Sequence, residues 1–146
     1  MAGYHIVDLK ATLHFGSYHD VDSSGTSFEI ASSQALKKGM MEAGPVLLEP
    51  IMKLEITVPD EFAGQVMGDL NSRRGRISGM DTDKGLQVIK ATVPEGEIYK
   101  YSTALRSITQ GRGDFSAEFS HYELVPYEIT QKIIEESKKE KEEKQK

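Results

Sequence analysis

Cysteine is absent from the 146 residues, which removes disulfide staples, thiolate zinc sites and a cysteine nucleophile at once. No apolar run is long enough to cross a bilayer, and no charged start followed by an apolar stretch marks a secretory signal. The cytosol is therefore the default compartment, and no membrane partner is expected. Basic residues are in deficit: 18 Lys+Arg face 23 Asp+Glu, for a formal charge of −5. A generally basic, charge-driven nucleic-acid binder is excluded on that ground. Neither G-x-x-x-x-G-K-[ST] nor G-x-G-x-x-G occurs, so the chain has no phosphate-binding loop of either kind.

What is present is one domain's length, or two small ones, with 38% apolar and 28% charged residues, a composition suited to a compact core. The charge is unevenly placed. Residues 126–146 carry as many lysines as acids, so the whole deficit falls on residues 1–125, where all five arginines also lie. Arg73, Arg74 and Arg76 are bunched, and Arg106 and Arg112 flank a turn. Local basic patches in an acidic whole are the feature to explain.

From Val7 to Phe15 the odd positions (Val7, Leu9, Ala11, Leu13, Phe15) are apolar and the even ones polar, the pattern of a half-buried strand. Residues 16–25 are turn-rich. Thr26-Ser27-Phe28-Glu29 reads as a capping box, with Asp22 or Ser23 as earlier caps, and opens a helix that Gly44-Pro45 stops. One strand and one helix cannot fold alone, and the chain starts straight into the strand pattern. Residues 1–48 are therefore expected to be the end of a larger domain, and the chain a fragment.

Pro45 and Pro50 bracket a short stiff connection and mark the boundary of a second unit, residues 49–125. Met52, Leu54, Ile56 and Val58 alternate as a strand. Pro59-Asp60 opens a helix with Phe62, Val66 and Leu70 on one face, and Gly75 ends it. Residues 76–80 form a short strand, 82–85 a turn, and 87–93 a strand with Ile89, Ala91 and Val93 inward. A helix from Pro94 carries Ile98, Tyr101, Leu105 and Ile108, Gly111-Arg112-Gly113 breaks it, and Phe115, Ala117, Phe119 and His121 alternate in a last strand. The order βαββαβ is the ferredoxin-like split βαβ, an α+β fold with two helices on one face of an antiparallel sheet. In residues 126–146 a helix carrying Ile129, Ile133 and Ile134 is expected to dissolve from Ser137, with 138–146 frayed.

Three readings compete for the loop Ser17, Tyr18, His19, Asp20, Val21, Asp22, Ser23, Ser24. His19, Asp20 and Asp22 are metal-ligand types, but adjacent side chains diverge and no further ligand group stands at a useful spacing, so no metal site is expected. Asp22, Ser23 or Thr26 can cap the helix. A helix N-terminus with hydroxyls and a histidine also suits recognition, of shape, sugars or bases rather than of phosphate, which Asp20 and Asp22 would repel.

Arg73, Arg74 and Arg76 either satisfy a helix C-terminus or offer planar, bidentate contacts to phosphate. Arg106, Ser107, Thr109, Gln110 and Arg112 can form a second such surface. The adhesion tripeptide Arg112-Gly113-Asp114 is discounted as the start of a hairpin strand. Strand 86–93 has no aromatic, which argues against base stacking in the manner of an RNA-recognition motif. An acylphosphatase-like enzyme needs a phosphate-cradling loop with an arginine after the first strand, and Val58-Pro59-Asp60-Glu61 is acidic instead.

Four blocks in order, Gly16-Ser-Tyr-His-Asp-Val-Asp-Ser-Ser24, Pro45-Val-Leu-Leu-Glu-Pro-Ile-Met52, Gly68-Asp-Leu-Asn-Ser-Arg-Arg-Gly75 and Leu105-Arg-Ser-Ile-Thr-Gln-Gly-Arg112, resemble bacterial elongation factor G from about Tyr4 to Ile134. The resemblance implies that residues 1–48 are the second half of the fourth domain, a ribosomal-protein-type α+β domain, that 49–125 are the fifth, and that the terminal helix packs back on the fourth. It implies a translocation factor whose partners are the ribosome, tRNA and mRNA, with GTP and Mg in an absent G domain, no cofactor or catalytic residue in this fragment, and a monomer. Residues 17–24 match a tip loop at the decoding centre. Arg106 and Ser107, with Gln110 and Arg112 beside them, match positions that approach the sarcin-ricin loop, and Arg73, Arg74 and Arg76 a region facing the stalk base and its proteins.

Departures point to a paralogue, which leaves ribosome recycling as a role beside translocation. Gly25 replaces a usual Glu, residues 97–103 differ from the usual Glu-Met-Phe-Gly-Tyr-Ala-Thr, and the Lys/Glu tail is longer. A free-standing RNA-binding or protein-docking module with no parent GTPase is the reading from a different class.

Overall fold

The computed structural model describes residues 3–143 and divides into two compact units, one of residues up to 47 together with those from 126 on, the other Leu48–Val125. In the second unit, β1 (Leu48–Pro59) is the longest strand and occupies an inner position in the sheet order β2-β3-β1-β4. β2 (Arg76–Asp83), β3 (Leu86–Pro94) and β4 (Asp114–Leu124) complete a wholly antiparallel sheet. With α2 (Asp60–Ser72) crossing from β1 to β2, and α3 (Tyr101–Ile108) from β3 to β4, this is the ferredoxin-like split βαβ.

Period-2 patterning places the core. Leu54, Ile56 and Val58 of β1 pair with Ala91, Ile89 and Gln87 of β3, and the apolar members of that face are buried with Val66 and Leu70 of α2 and Tyr101 and Leu105 of α3. At the start of β1 the buried residue is Ile51 rather than Met52, where the pairing with β4 slips by one residue between them. The β2–β3 hairpin is tighter than a four-residue turn. Lys84 and Gly85 alone turn, at φ 49° and 81°, the geometry whose twist matches the flanking strands, so β2 extends to Asp83.

Both crossover helices end alike. In α2 the αL residue is Arg74, and the Gly75 N–H donates to the Leu70 carbonyl at 2.8 Å. In α3 it is Gln110, and the Gly111 N–H donates to the Arg106 carbonyl at 2.8 Å. These are Schellman closures with a polar side chain at the left-handed position. Gly75 is required by space rather than by φ, since a Cβ there would stand 2.6 Å from the Leu70 oxygen.

Further expectations are corrected. The helix from Pro94 is broken into a 3₁₀ turn, Glu95–Ile98, and α3, with Tyr99 extended and Lys100 left-handed between them. Gly96 weakens the first turn, and the break re-aims the chain so that Tyr101 is buried while Ile98 still packs on the core. In β4 only Phe115 joins the core, and Phe119 stays exposed beyond the reach of the helices on this edge strand.

In the other unit, residues 7–15 form no strand, and Leu13 and Phe15 are 90% and 84% exposed. A strand needs a neighbour for its backbone groups, and no described residues pair with this segment. α4 (Tyr127–Glu143) does not dissolve at Ser137. Lys and Glu are strong helix formers, and neither Gly nor Pro interrupts them; the last three residues of the expected frayed tail, 144–146, lie outside the described residues. α1 (Gly25–Glu42) buries none of its residues, and its C-terminus closes through Ala43 and a left-handed Gly44 as the Gly-Pro signal requires.

Candidate nucleic-acid interface

The loop before α1 is closed on itself by local hydrogen bonds. The His19 N–H donates to Ser23 Oγ at 2.8 Å and the Ser23 N–H to the His19 carbonyl at 3.0 Å. The helix cap is Ser24, not Asp22, Ser23 or Thr26: its Oγ accepts from the Ser27 N–H at 3.2 Å. The reason is register, since the helix begins at Gly25 and a capping oxygen must reach the third residue on. Tyr18 stacks on Phe28 with ring centroids 6.5 Å apart and planes 11° apart, tying the loop to the first turn of α1. Ser17, Tyr18, His19, Asp20 and Asp22 are exposed. Among the described residues no three His, Cys, Asp or Glu side chains gather as a metal site requires.

The three bunched arginines are separated by their partners. Arg73 donates from Nε to Asp69 Oδ2 at 2.8 Å and from Nη1 to the Glu97 carbonyl at 2.8 Å, and lies over the Tyr101 ring. Arg74 forms a bidentate pair with Glu49, with Glu97 Oε1 a further 3.8 Å contact. The Glu49 hydrogen bond raises its pKa against the opposing effect of burial, so it is a fixed cation. Both tie the end of α2 to β1 and to the 3₁₀ turn. Arg76 alone of the three is open, its side chain 78% exposed with Glu123 at 3.6 Å. The hydrogen bond from His121, helped by Arg76, lowers the Glu123 pKa.

Around α3 the expected surface is partly inside. Thr109 is fully buried. Its Oγ1 donates to the Leu105 carbonyl at 2.7 Å and accepts from the Gly113 N–H at 2.9 Å, so it holds the α3–β4 turn. Arg112 is engaged by Glu61 at 2.7 Å and covers the Phe62 ring. Arg106, Ser107 and Gln110 are exposed. Of the five arginines, Arg106 is the one whose guanidinium makes no hydrogen bond or ion pair with the described residues. It stands one helical turn from Ser102 and Thr103, with Gln110 in the left-handed closure beyond the helix end.

Sequence reading passed over two residues beside this face, Tyr99 and Lys100. The signal was available: residues 98–113 are the longest stretch of the chain without an Asp or Glu.

Fold and surface together define a class, an α+β protein built on a ferredoxin-like domain that offers, on an acid-free helix, an arginine unpaired among the described residues. Residues 46–133 match the family model of the elongation factor G C-terminus, and residues 1–60 that of elongation factor G, domain IV. A crystal structure of a protein from Thermus thermophilus is 49% identical, with a TM-score of 0.72, over 86% of this chain. The chain belongs to the elongation factor G family, and it spans 19% of the length of that relative. Among the described residues no helix is long and apolar enough to cross a membrane.

Proposed function

We propose that this chain is the ribosome-contacting C-terminal part of an elongation factor G-type GTPase, in which an upstream G domain holds GTP and Mg and this part carries none of the hydrolytic chemistry. Residues 1–48 supply the end of the fourth domain, whose loop 17–24 enters the decoding centre beside tRNA and mRNA during translocation. Residues 49–125 are the fifth domain and meet large-subunit rRNA. Membership of the family supports the general role. The single observation that carries the rRNA contact is Arg106: an exposed guanidinium without a partner among the described residues, on a helix without carboxylates, in a chain whose other arginines are all paired.

The physical argument is competition for the guanidinium. An arginine already bound to a carboxylate must give up that bond before it reaches phosphate, whereas a free guanidinium makes the charge-assisted bond at no such cost. Arg73 and Arg74 therefore serve the stalk-base region by holding its shape, Arg76, 78% exposed with one 3.6 Å contact to Glu123, is the member of that cluster most easily released to a partner, and Arg112 meets rRNA only by leaving Glu61.

Arg106→Ala in the full-length protein is expected to weaken ribosome binding and ribosome-stimulated GTP hydrolysis about 10- to 150-fold, as for a hydrogen bond to a charged group of about 1.5–3 kcal/mol. His19→Ala is expected to slow translocation and leave hydrolysis nearly intact. Equal loss of both in the His19 variant would contradict the tip assignment, and GTP turnover by this chain alone would overturn the division of labour.

A further inference from the structure

The link between the 3₁₀ turn and α3 carries two residues that cost the fold something locally. Lys100 is left-handed at φ 56°, a conformation in which a side chain with a Cβ is strained. It also occupies the N-cap of α3 without a capping hydrogen bond, placing a cation at the helix end where the dipole disfavours one. Tyr99, beside it, is 77% exposed, with Lys100 Nζ 5.2 Å from its ring centroid. The neighbouring Tyr101 is buried, so the left-handed turn separates the two rings, one into the core and one outward.

The surroundings select the occupant. From Ile98 to Gly113 there is no carboxylate. Lys100 and Arg106 lie six residues apart, about 9 Å along the helix axis, with the hydroxyls of Ser102 and Thr103 between. An exposed ring with Lys100 over it, and Arg106 farther along α3, neither cation ion-paired with the described residues, suits a strand of alternating phosphates and flat bases. An acidic peptide can pair its charges with the cations but does not set a flat base beside each of them. Resting on the proposed rRNA contact of Arg106, we propose that Tyr99 and Lys100 form a second contact on the same RNA: the Tyr99 ring stacks on an unpaired base of an RNA loop while Lys100 meets the adjoining phosphate. Base-paired RNA keeps its bases stacked inside and gives the ring nothing to cover.

The test uses the full chain and a fluorescently labelled stem-loop RNA with a purine-rich unpaired loop, against a fully paired duplex of the same length. Tyr99→Ala is expected to weaken stem-loop binding about 5- to 100-fold, in line with the loss of one base–aromatic stack, and Tyr99→Phe to restore it. Lys100→Gly is expected to lower the slope of log affinity against log salt by about 0.7, one phosphate's worth on a single strand. Its melting temperature should not fall, because glycine relieves the left-handed strain. Unchanged binding in Tyr99→Ala, with Arg106→Ala still weakening it, would overturn this second contact and leave the Arg106 reading standing. Wild-type chain that prefers the duplex, or binds neither RNA, would overturn both.

Discussion

Single residues decide the character of the second unit more than its composition does. The Tyr101 hydroxyl is fully buried and has no hydrogen-bond partner among the described residues, and burial, with Asp69 adding, pushes its pKa up to about 12 against the opposing Arg73. Two outcomes follow from that position. Tyr101→Phe removes an unsatisfied polar atom and keeps the ring under Arg73, so it is expected to raise stability at pH 7 by about 1 kcal/mol in denaturant melts. The phenol's pKa is higher folded than unfolded, so its contribution is fully present below pH 10 and is lost as pH rises towards 12. The wild-type chain should lose up to about 2–3 kcal/mol across that range that the Phe variant keeps. A Phe variant less stable than wild type at pH 7 would mean that the hydroxyl has a partner after all.

At the scale of elements, the two helix ends are set by close approach. Gly75→Ala would drive a Cβ to 2.6 Å from the Leu70 carbonyl, in the closure that also aims Arg74 at Glu49. It is expected to cost about 1–3 kcal/mol. Gly64 is a fair contrast: it lies in the exposed interior of α2 with nothing within 4 Å of an added Cβ, and Gly64→Ala should stabilise by about 0.5–1 kcal/mol. Chemical denaturation of the pair separates a spatial requirement from helix propensity, and equal effects would refute the distinction.

The same scale explains what could be read without coordinates. The βαββαβ order was legible because alternation, Pro59-Asp60 and the glycines at 75, 85 and 111 act locally. The expected strand at 7–15 failed because a strand is completed by a neighbour, and the alternation of Leu9, Leu13 and Phe15 reports only a tendency. α4 outran its expected end because a charged tail without Gly or Pro looks disordered by composition and helical by propensity. The arginine partners were hidden for another reason. Glu49 stands 25 residues from Arg74, and the Glu97 carbonyl 24 from Arg73, so the fate of three adjacent guanidiniums depended on a sheet and a turn elsewhere. Arg106 could be proposed from sequence, but only the pairing of the other four singles it out.

For the molecule as a whole, the RNA contact proposed for this acidic chain has to work by placement. A net charge of −5 gives no general attraction to phosphate, so the proposed contact falls to cations without partners among the described residues, and the chain keeps these on and beside the carboxylate-free helix α3. The first unit carries a histidine-bearing loop closed by its own serines and braced by Tyr18 on Phe28, for which recognition of another kind is proposed. The measurement that tests this account most directly is chemical footprinting of rRNA on ribosomes bound by the full-length protein, wild type against Arg106→Ala. The account predicts that the variant, added to saturation, loses shielding of one large-subunit rRNA loop and keeps its other footprints. An unchanged footprint at that loop would contradict it.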